Sequence, residues 1–324
     1  MQLYPLEFQP VYKYRMWGGN KLQTVLNKEY TGENIGESWE ISDVKGDETE
    51  VINGALKGYT LRKLSNEFGP EFLGKKVHDA FGDEFPLLIK FIDAKTPLSV
   101  QVHPHDPIAK ERHNSFGKNE MWYIMDADDK AEIIVGFKQD LDKKSYSKYL
   151  EDKKLLEVLN KVETEAGDTF YIPTGRVHAI GAGVLLAEIQ QTSDITYRIY
   201  DYDRVDKATG KTRDLHNDLA LDVIDFQTYE NYKTEYARNA NQSNALVHSP
   251  YFRTNILPIE GNISKNYSTL DSFVIYICTK GSVKVKCGSD SFLLKKGTTL
   301  LLPASVNNID LYSSDHGELL ECYY

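Results

Sequence analysis

The 324-residue sequence contains only three cysteines, Cys278, Cys287 and Cys322, and no two of them form a Cys-x-x-Cys pair. This pattern argues against a disulfide framework and against a zinc site with sulfur ligands. No stretch approaches the roughly 18 consecutive apolar residues of a membrane-spanning helix. The first residues, MQLYPLEFQP, lack the pattern of a signal peptide. We therefore expect a cytoplasmic protein without a membrane partner.

The sequence also lacks runs of lysine and arginine, and its net charge is −10. A chain of this kind has no cationic surface to neutralise a row of phosphates, so we expect no nucleic-acid partner. An anionic small molecule would need a local cationic pocket. The remaining composition, 41% hydrophobic and 27% charged, is typical of a folded globular protein.

Short β-branched and aromatic runs dominate the sequence and are typical of β-strands. We predict strands in the stretches 85–94, 98–103, 121–125, 131–137, 168–173 and 183–191. Apolar positions that recur every three or four residues predict helices in the stretches 60–69, 69–82, 141–162 and 214–226. The sequence therefore predicts a mainly β protein with inserted helices.

A polar segment without strong periodicity, residues 227–250, separates two β-rich parts of the chain. We place a domain boundary within it, which gives a first domain of residues 1–235 and a second of residues 236–324. Strand-like runs with glycine turns return in the second part. Their spacing suits a β-sandwich or a jelly roll.

One segment occurs twice in related form. Residues 167–178, GDTFYIPTGRVH, align without gaps with residues 297–308, GTTLLLPASVNN. Each copy predicts a glycine turn, an apolar strand and a closing proline. The first copy ends in His178 and the second in Asn308, and asparagine is a poor ligand for a transition metal. If the copies mark two related barrels, only the first can hold a metal at this position.

Side chains that can bind a metal are concentrated in the first part of the chain. Gln101 and His103 alternate on an apolar strand and therefore face the same side of it. Glu120 begins another strand, and His178 follows a glycine-rich turn. Two imidazoles, a carboxylate and an amide oxygen suit zinc or another divalent first-row ion. His105 continues the alternation, but the proline before it interrupts the strand, so we expect His105 at the rim.

The spacing Gly-x5-Pro-x-Gly-x2-His in residues 167–178 resembles the second sequence motif of the cupin family. This resemblance implies a jelly-roll β-barrel that presents His178 inward to a metal. Together with the repeat, it predicts two cupin-type jelly-roll barrels, of which the second is degenerate and metal-free.

Six runs, in order along the first two thirds of the chain, resemble the motifs of the type I mannose-6-phosphate isomerase family in its short bacterial form. They are YRMWGGN (14–20), GESWEIS (36–42), PLLIK (86–90), LSVQVHP (98–104), GKNEMWY (117–123) and QTSDITYR (191–198). The resemblance implies a metal-dependent aldose–ketose isomerase. Such an enzyme interconverts mannose 6-phosphate and fructose 6-phosphate through an enediol-type intermediate. Its partner is therefore a small-molecule sugar phosphate, and we expect a monomer or a weak homo-oligomer.

The same resemblance implies roles for particular residues. The implied ligands of one divalent ion per chain, expected to be Zn²⁺, are His103, Glu120, His178 and Gln101. The implied catalytic residue is Arg198, and the implied substrate-binding residues are Lys118, Glu188 and Asp194.

The chemistry constrains these roles further. The reaction moves a proton between C2 and C1 and develops negative charge on oxygen. The permanently charged Arg198 can stabilise that charge, or alternatively bind the phosphate. The base stays open among Lys118, Glu188 and Asp194. The chain also lacks the extra helical domain that longer family members carry between the metal glutamate and the second metal histidine, so we expect a more open pocket.

Other functions remain compatible with a metal-binding barrel. An iron-dependent oxygenase also uses two histidines and a carboxylate, but Gln101 and the run that contains Arg198 argue against it. An unrelated sugar-phosphate isomerase or epimerase is a second alternative. A sugar-binding protein without catalysis would be expected to lose a metal ligand or Arg198, and the sequence keeps them.

Overall fold

The structure, a computed structural model, describes residues 2–324 and is mainly β. The N-terminal elements are β1 (Phe8–Gln9), β2 (Val11–Tyr14), α1 (Lys21–Thr24), β3 (Ile35–Ile41), β4 (Glu50–Val51), a 3-10 turn (Gly54–Leu56), α2 (Leu61–Phe68), α3 (Pro70–Leu73) and α4 (Lys75–Phe81). The central elements are β5 (Leu87–Ala94), β6 (Val100–Val102), α5 (Asp106–His113), β7 (Glu120–Ala127), β8 (Glu132–Phe137), α6 (Lys143–Glu151), α7 (Leu155–Val158), β9 (Leu159–Glu163), β10 (Thr169–Ile172), β11 (His178–Ile180) and β12 (Val184–Gln191).

The remaining elements are β13 (Tyr197–Tyr200), β14 (Val205–Asp206), β15 (Lys211–Thr212), α8 (Asn217–Leu221), β16 (Asn244–His248), β17 (Arg253–Asn266), β18 (Val274–Lys280), β19 (Ser282–Cys287), β20 (Asp290–Lys295), β21 (Thr299–Leu302) and β22 (Asn308–Tyr323). None of the helices in residues 2–324 has the length and apolar character needed to cross a membrane.

Two sheets face each other in the first part of the chain. One has six strands in the order β10-β7-β12-β5-β3-β2, and the other has five in the order β13-β6-β11-β8-β9. Trp122 and Leu186 from the first sheet pack with Val135 and Ile180 from the second in one apolar cluster. This cluster fixes the distance between the sheets, and polar side chains between the same two sheets are thereby enclosed.

The two central strands of the six-stranded sheet, β5 and β12, are buried on both faces, which explains their nearly continuous apolar sequences. All residues of β5 and of β12 are buried. On the outer face, Phe91 of β5 belongs to a large core that also contains Phe72 of α3 and Phe273, Ile275 and Leu301 of the C-terminal part. The predicted mainly β fold with inserted helices is confirmed.

The C-terminal part forms a separate seven-stranded antiparallel sheet with an apolar cluster of its own. It is nevertheless joined closely to the rest of the chain. Leu6 exchanges two backbone hydrogen bonds with Leu301, at 2.8 and 2.9 Å, and both residues belong to the large shared core. The boundary predicted between residues 235 and 236 stays a prediction, and the two parts share one core across it.

The two copies of the repeated segment form matching turns and strands. Gly167 and Gly297 both adopt positive φ, 100° and 86°, and each begins a turn into a short strand, β10 or β21. The Gly167 amide donates to the Ile124 carbonyl, and the Gly297 amide donates to the Cys278 carbonyl, both at 2.8 Å. The repeat is therefore present in the structure as well as in the sequence, and β7 corresponds to β18.

The predicted strands are confirmed as β5, β6, β7, β8, β10 and β12, but two helix predictions are wrong in extent. The stretch 141–162 contains α6, a left-handed residue at Lys153 (φ 57°), the single turn α7 and then strand β9. The last four residues of the stretch leave the helical pattern because β9 pairs with β8, so tertiary pairing overrides local propensity. In the stretch 214–226 only Asn217–Leu221 is helical.

The shared core predicts the effect of a truncation at Leu301, which is fully buried. Leu301→Ala should lower the free energy of unfolding by about 2–5 kcal/mol, because it leaves a cavity between the two parts. Urea unfolding followed by tryptophan fluorescence measures this change. The matched control is Leu293→Ala, since Leu293 is 57% exposed and its truncation should change stability by less than about 0.5 kcal/mol. Equal losses of unfolding free energy in the two variants would contradict a core that stabilises both parts of the chain.

Candidate active site

Three strands bring the buried side chains His103, Glu120 and His178 together. His103 follows β6, Glu120 begins β7 and His178 begins β11. Their potential ligand atoms all lie within 4.8 Å of one another. Because β7 belongs to the six-stranded sheet and β6 and β11 to the five-stranded sheet, the group forms only where the two sheets face each other.

Gln101 lies beside this group. It pairs with His178 across the β6–β11 ladder, and its side-chain nitrogen is 3.2 Å from Nε2 of His178. The His103 and His178 rings are 4.8 Å apart between centroids, so Gln101 and His103 face the same side of their strand. An amide carries one acceptor oxygen, and Gln101 can therefore supply an oxygen ligand. The predicted rim residue, His105, is exposed.

Backbone carbonyls orient both imidazoles. Nδ1 of His103 is 2.9 Å from the Ile195 carbonyl oxygen, and Nδ1 of His178 is 2.8 Å from the Arg176 carbonyl oxygen. A carbonyl can only accept, so each Nδ1 carries the proton and each Nε2 presents an unprotonated lone pair. Burial lowers the pKa of His103 well below its ordinary value and lowers that of His178 to about 3. Both rings are therefore neutral, which is the form that binds a metal.

The carboxylate of Glu120 is the strongest indication that a cation belongs here. Its Oε1 is buried and has no hydrogen-bond partner among residues 2–324, and it lies 3.4 Å from the unprotonated Nε2 of His178. Burial and the nearby Glu188 carboxylate raise the pKa of Glu120 to about 7. Acceptor atoms that face one another in a dry site are costly unless a cation joins them. The residues therefore fit one divalent metal ion.

Lys118 supplies a positive charge at the edge of this group. Its Nζ donates to Oε2 of Glu120 at 2.6 Å and lies 3.2 Å from Nε2 of His103 and 3.9 Å from Oε1 of Glu188. Burial alone would lower the pKa of Lys118, but the Glu120 and Glu188 carboxylates outweigh it and raise that pKa above its ordinary value. Lys118 is thus a buried ammonium that reaches the metal-binding atoms.

Glu188 lies between two lysines, and one of them was missed by sequence reasoning. Oε2 of Glu188 accepts a hydrogen bond from the Trp122 indole at 3.0 Å, and Oε1 lies 3.4 Å from Nζ of Lys90. Lys90 is only 4% exposed and is paired with Glu188 across the β5–β12 ladder. Its signal was present in the sequence, because a lysine within an apolar strand that is buried on both faces needs a charged partner.

A cleft of about 420 Å³ opens onto this group of residues. The predicted site residues that line it are Gln101, Lys118, Glu188, Asp194 and Arg198. Three further cationic lining residues, Arg15, Lys90 and Arg213, were not predicted as site residues. The lining thus has five cationic side chains beside four acidic ones, which are Glu37, Glu188, Asp194 and Asp206. The cleft therefore offers local positive charge to an anionic substrate in a chain of net negative charge.

Arg198 and Asp194 occupy different positions in the cleft. Arg198 donates from Nη1 to the Asp214 carbonyl at 2.8 Å, whereas its Nε is buried without a hydrogen-bond partner in residues 2–324. Burial and the nearby Arg213 lower the pKa of Arg198 from its ordinary value. Asp194 is exposed on the cleft wall. Asp201 binds the neighbouring Arg213 through two hydrogen bonds.

Taken together, these features define a mainly β protein with a buried His–Glu–His group that could hold one metal ion, next to a cleft lined by charged side chains. Comparisons with known proteins agree with this class. Residues 6–148 match the family model described as phosphomannose isomerase type I, catalytic domain. The chain is 36% identical over 310 residues to mannose-6-phosphate isomerase ManA from Bacillus subtilis, with 95% of both chains covered.

Two further comparisons extend this result. The chain is 34% identical over 305 residues to mannose-6-phosphate isomerase from Streptococcus mutans, with 94% of each chain covered. The crystal structure of mannose 6-phosphate isomerase from Bacillus subtilis superposes with a TM-score of 0.90 at 31% identity and covers 99% of both chains. The chain therefore belongs to the type I mannose-6-phosphate isomerase family, and the family predicted from the six sequence runs is confirmed.

The geometry predicts that a buried histidine of the site and an exposed histidine near it differ in their effect on metal binding. His178→Ala should abolish stoichiometric binding of zinc, because it removes a ligand and leaves Glu120 facing empty space. The matched control is His105→Ala, since His105 is exposed and lies only two residues from His103. Zinc content after gel filtration, measured by atomic emission, checks both variants, and circular dichroism checks the fold. Full zinc occupancy in His178→Ala would remove His178 from the ligand set.

Proposed function

We propose that this chain interconverts mannose 6-phosphate and fructose 6-phosphate with one zinc ion, held by His103, Glu120, His178 and Gln101. The observation that carries the proposal is the buried Oε1 of Glu120, which faces the unprotonated Nε2 of His178 at 3.4 Å without a donor of its own. Lys118, which binds the other oxygen of Glu120, and Gln101, which contacts His178, line the adjoining cleft. The family membership supplies the substrate pair.

A bound divalent ion would act as a Lewis acid toward the sugar oxygens at C1 and C2. The side chains around it have separate tasks. The Lys118 ammonium, fixed by Glu120 at 2.6 Å, can donate a hydrogen bond to a sugar oxygen that gains negative charge. Because Lys118 is 4% exposed, this hydrogen bond forms where little water competes with it, which strengthens the interaction.

In an enediol mechanism a base removes the proton from C2, and a proton is then returned to C1. The cleft favours Glu188 for this task over the exposed Asp194 and over Lys118, because Lys118 is already held as an ammonium by Glu120. Glu188 is 3% exposed, its Oε1 has no hydrogen-bond partner in residues 2–324, and it lies between the Lys90 and Lys118 ammonium groups. Asp194 is exposed on the wall that the cleft shares with a second depression.

Arg198 is proposed to stabilise the anionic substrate. Its buried Nε has no partner in residues 2–324, so a donor is available without breaking an existing hydrogen bond. Arg213 lies on the same cleft and is oriented by Asp201, whose Oδ2 accepts from Nε at 2.8 Å. Two guanidinium groups so placed can bind both a phosphate and the charge that develops during the reaction.

The finer description of the fold is also a proposal: two cupin-type jelly rolls, residues 1–235 and 236–324, with the second degenerate and metal-free. The match of β7 to β18 supports it, because Val274 then occupies the position of Glu120. Asn308, the counterpart of His178 in the sequence repeat, is exposed and accepts a hydrogen bond from Asn266 at 2.8 Å.

We further expect a cytoplasmic monomer or weak homo-oligomer.

The proposed reaction is tested by an assay of the purified chain for conversion of mannose 6-phosphate to fructose 6-phosphate. Two added enzymes report the product: a glucose-6-phosphate isomerase converts fructose 6-phosphate to glucose 6-phosphate, and an NADP-dependent dehydrogenase then oxidises the glucose 6-phosphate. Chelation should abolish turnover, and stoichiometric zinc should restore it. The control variant Asn308→Ala should retain the wild-type rate, since Asn308 is exposed in the C-terminal part. Turnover that survives complete removal of the metal would disprove the metal-dependent reaction.

A second prediction separates catalysis from metal binding. Arg198→Ala should lower kcat by about 10²–10³-fold, the range found when one donor to a developing oxyanion is removed, while zinc content stays at one ion per chain. Arg198→Lys should restore little of the rate, because lysine offers a point charge in place of the planar fork. Steady-state kinetics together with metal analysis measure both quantities. A near-normal kcat in Arg198→Ala would remove its proposed role.

A further inference from the structure

The turn between β10 and β11 is held from outside by the segment that follows α8. The Asp225 amide donates to the Gly175 carbonyl at 2.8 Å, and the Gly175 amide donates to the His103 carbonyl at 3.0 Å. A Cβ added to Gly175 would lie 2.7 Å from the Val223 carbonyl oxygen. The turn is therefore fitted closely between the backbone of one proposed metal ligand and residues 223–232, which we call the outer clasp.

Two tyrosine rings of the outer clasp contact the guanidinium of Arg176 through their faces. Arg176 is 8% exposed, and its guanidinium carbon lies 4.1 Å from the Tyr229 ring centroid and 5.1 Å from that of Tyr232. The Tyr229 hydroxyl donates to Asp225 at 2.7 Å, whereas the Asp225 carboxylate is 3.8 Å from the guanidinium. Because Nε of Arg176 has no hydrogen-bond partner in residues 2–324, cation–π contact is the main restraint on this side chain.

The backbone of Arg176 acts directly on the proposed metal site. Its carbonyl oxygen accepts the Nδ1 proton of His178 at 2.8 Å, and this hydrogen bond sets both the tautomer and the direction of the imidazole. The side chain that the tyrosines hold and the carbonyl that orients His178 thus belong to the same residue. A movement of the turn that releases the guanidinium would also move this carbonyl.

We propose that Arg176, Tyr229 and Tyr232 are positioning residues for the metal centre, acting through the Arg176 carbonyl on His178. The inference rests on the proposed function, since it requires His178 to bind a metal. Simple core packing does not account for the contact, because Tyr229 is 43% exposed and contributes a ring face to a cation at the surface of the turn.

The test compares zinc affinity, by competition with a chromophoric chelator, in the wild type and in Arg176→Met, which keeps an unbranched stem and removes the guanidinium and its charge. We expect zinc to bind about 10- to 100-fold more weakly, as found when second-layer partners of metal ligands are removed. Arg176→Lys should recover most of the affinity, since it keeps a cation over the rings. Arg253→Met is the matched control, because Arg253 is exposed in the C-terminal part.

A second pair of variants keeps the test decisive if Arg176→Met does not fold. Tyr229→Phe retains the ring face and should bind zinc like the wild type, whereas Tyr229→Ala should bind it more weakly and alter the visible absorption of the cobalt-substituted protein. Tyr312→Ala, an exposed tyrosine far along the chain, is its control. Unchanged zinc affinity and an unchanged cobalt spectrum in Tyr229→Ala or Arg176→Met would overturn the positioning role alone. A wild-type chain that binds neither ion would overturn the metal centre itself.

Discussion

The arrangement of the site depends on the burial of one carboxylate. Glu120 is fully enclosed between two sheets, where an ionised group is stable only if cations or donors surround it. Lys118 satisfies one of its oxygens, and the other faces a histidine nitrogen that has no proton to give. A divalent ion held by Glu120, His103 and His178 would resolve this conflict, because it would accept lone pairs from the carboxylate and both imidazoles. The same burial keeps the imidazoles neutral and therefore able to bind it.

The fold places this carboxylate by joining elements that are distant in the sequence. β7 carries Glu120 in one sheet, and β6 and β11 carry the histidines in the other, so the ligands meet only when the apolar cluster between the sheets has formed. Behind the six-stranded sheet, the large core connects it to the C-terminal part through residues such as Phe91 and Phe273. The C-terminal part contributes none of the proposed ligands, yet its packing supports the strand that bears Glu120.

The sequence predicts those parts of the site that depend on local geometry. The glycines and the proline around His178 determine a turn wherever they occur, and strand alternation places Gln101 beside His103. The pairing of Lys90 with Glu188 is different, because it depends on the register of β5 against β12, which no local pattern fixes. For the same reason the stretch 141–162 resembles one helix, although its last residues join β8 as strand β9. The core shared across residue 235 is likewise a product of tertiary packing.

The proposed metal centre requires one zinc ion to join Glu120 to His103 and His178. Anomalous X-ray diffraction at the zinc edge, from crystals of the full chain grown with one equivalent of zinc, measures the position of that ion. We expect a single anomalous peak per chain, within about 2.0–2.2 Å of one Glu120 oxygen and of Nε2 of each histidine. An active protein whose crystals show no peak at this position, or whose peak lies away from Glu120, would disprove this metal centre.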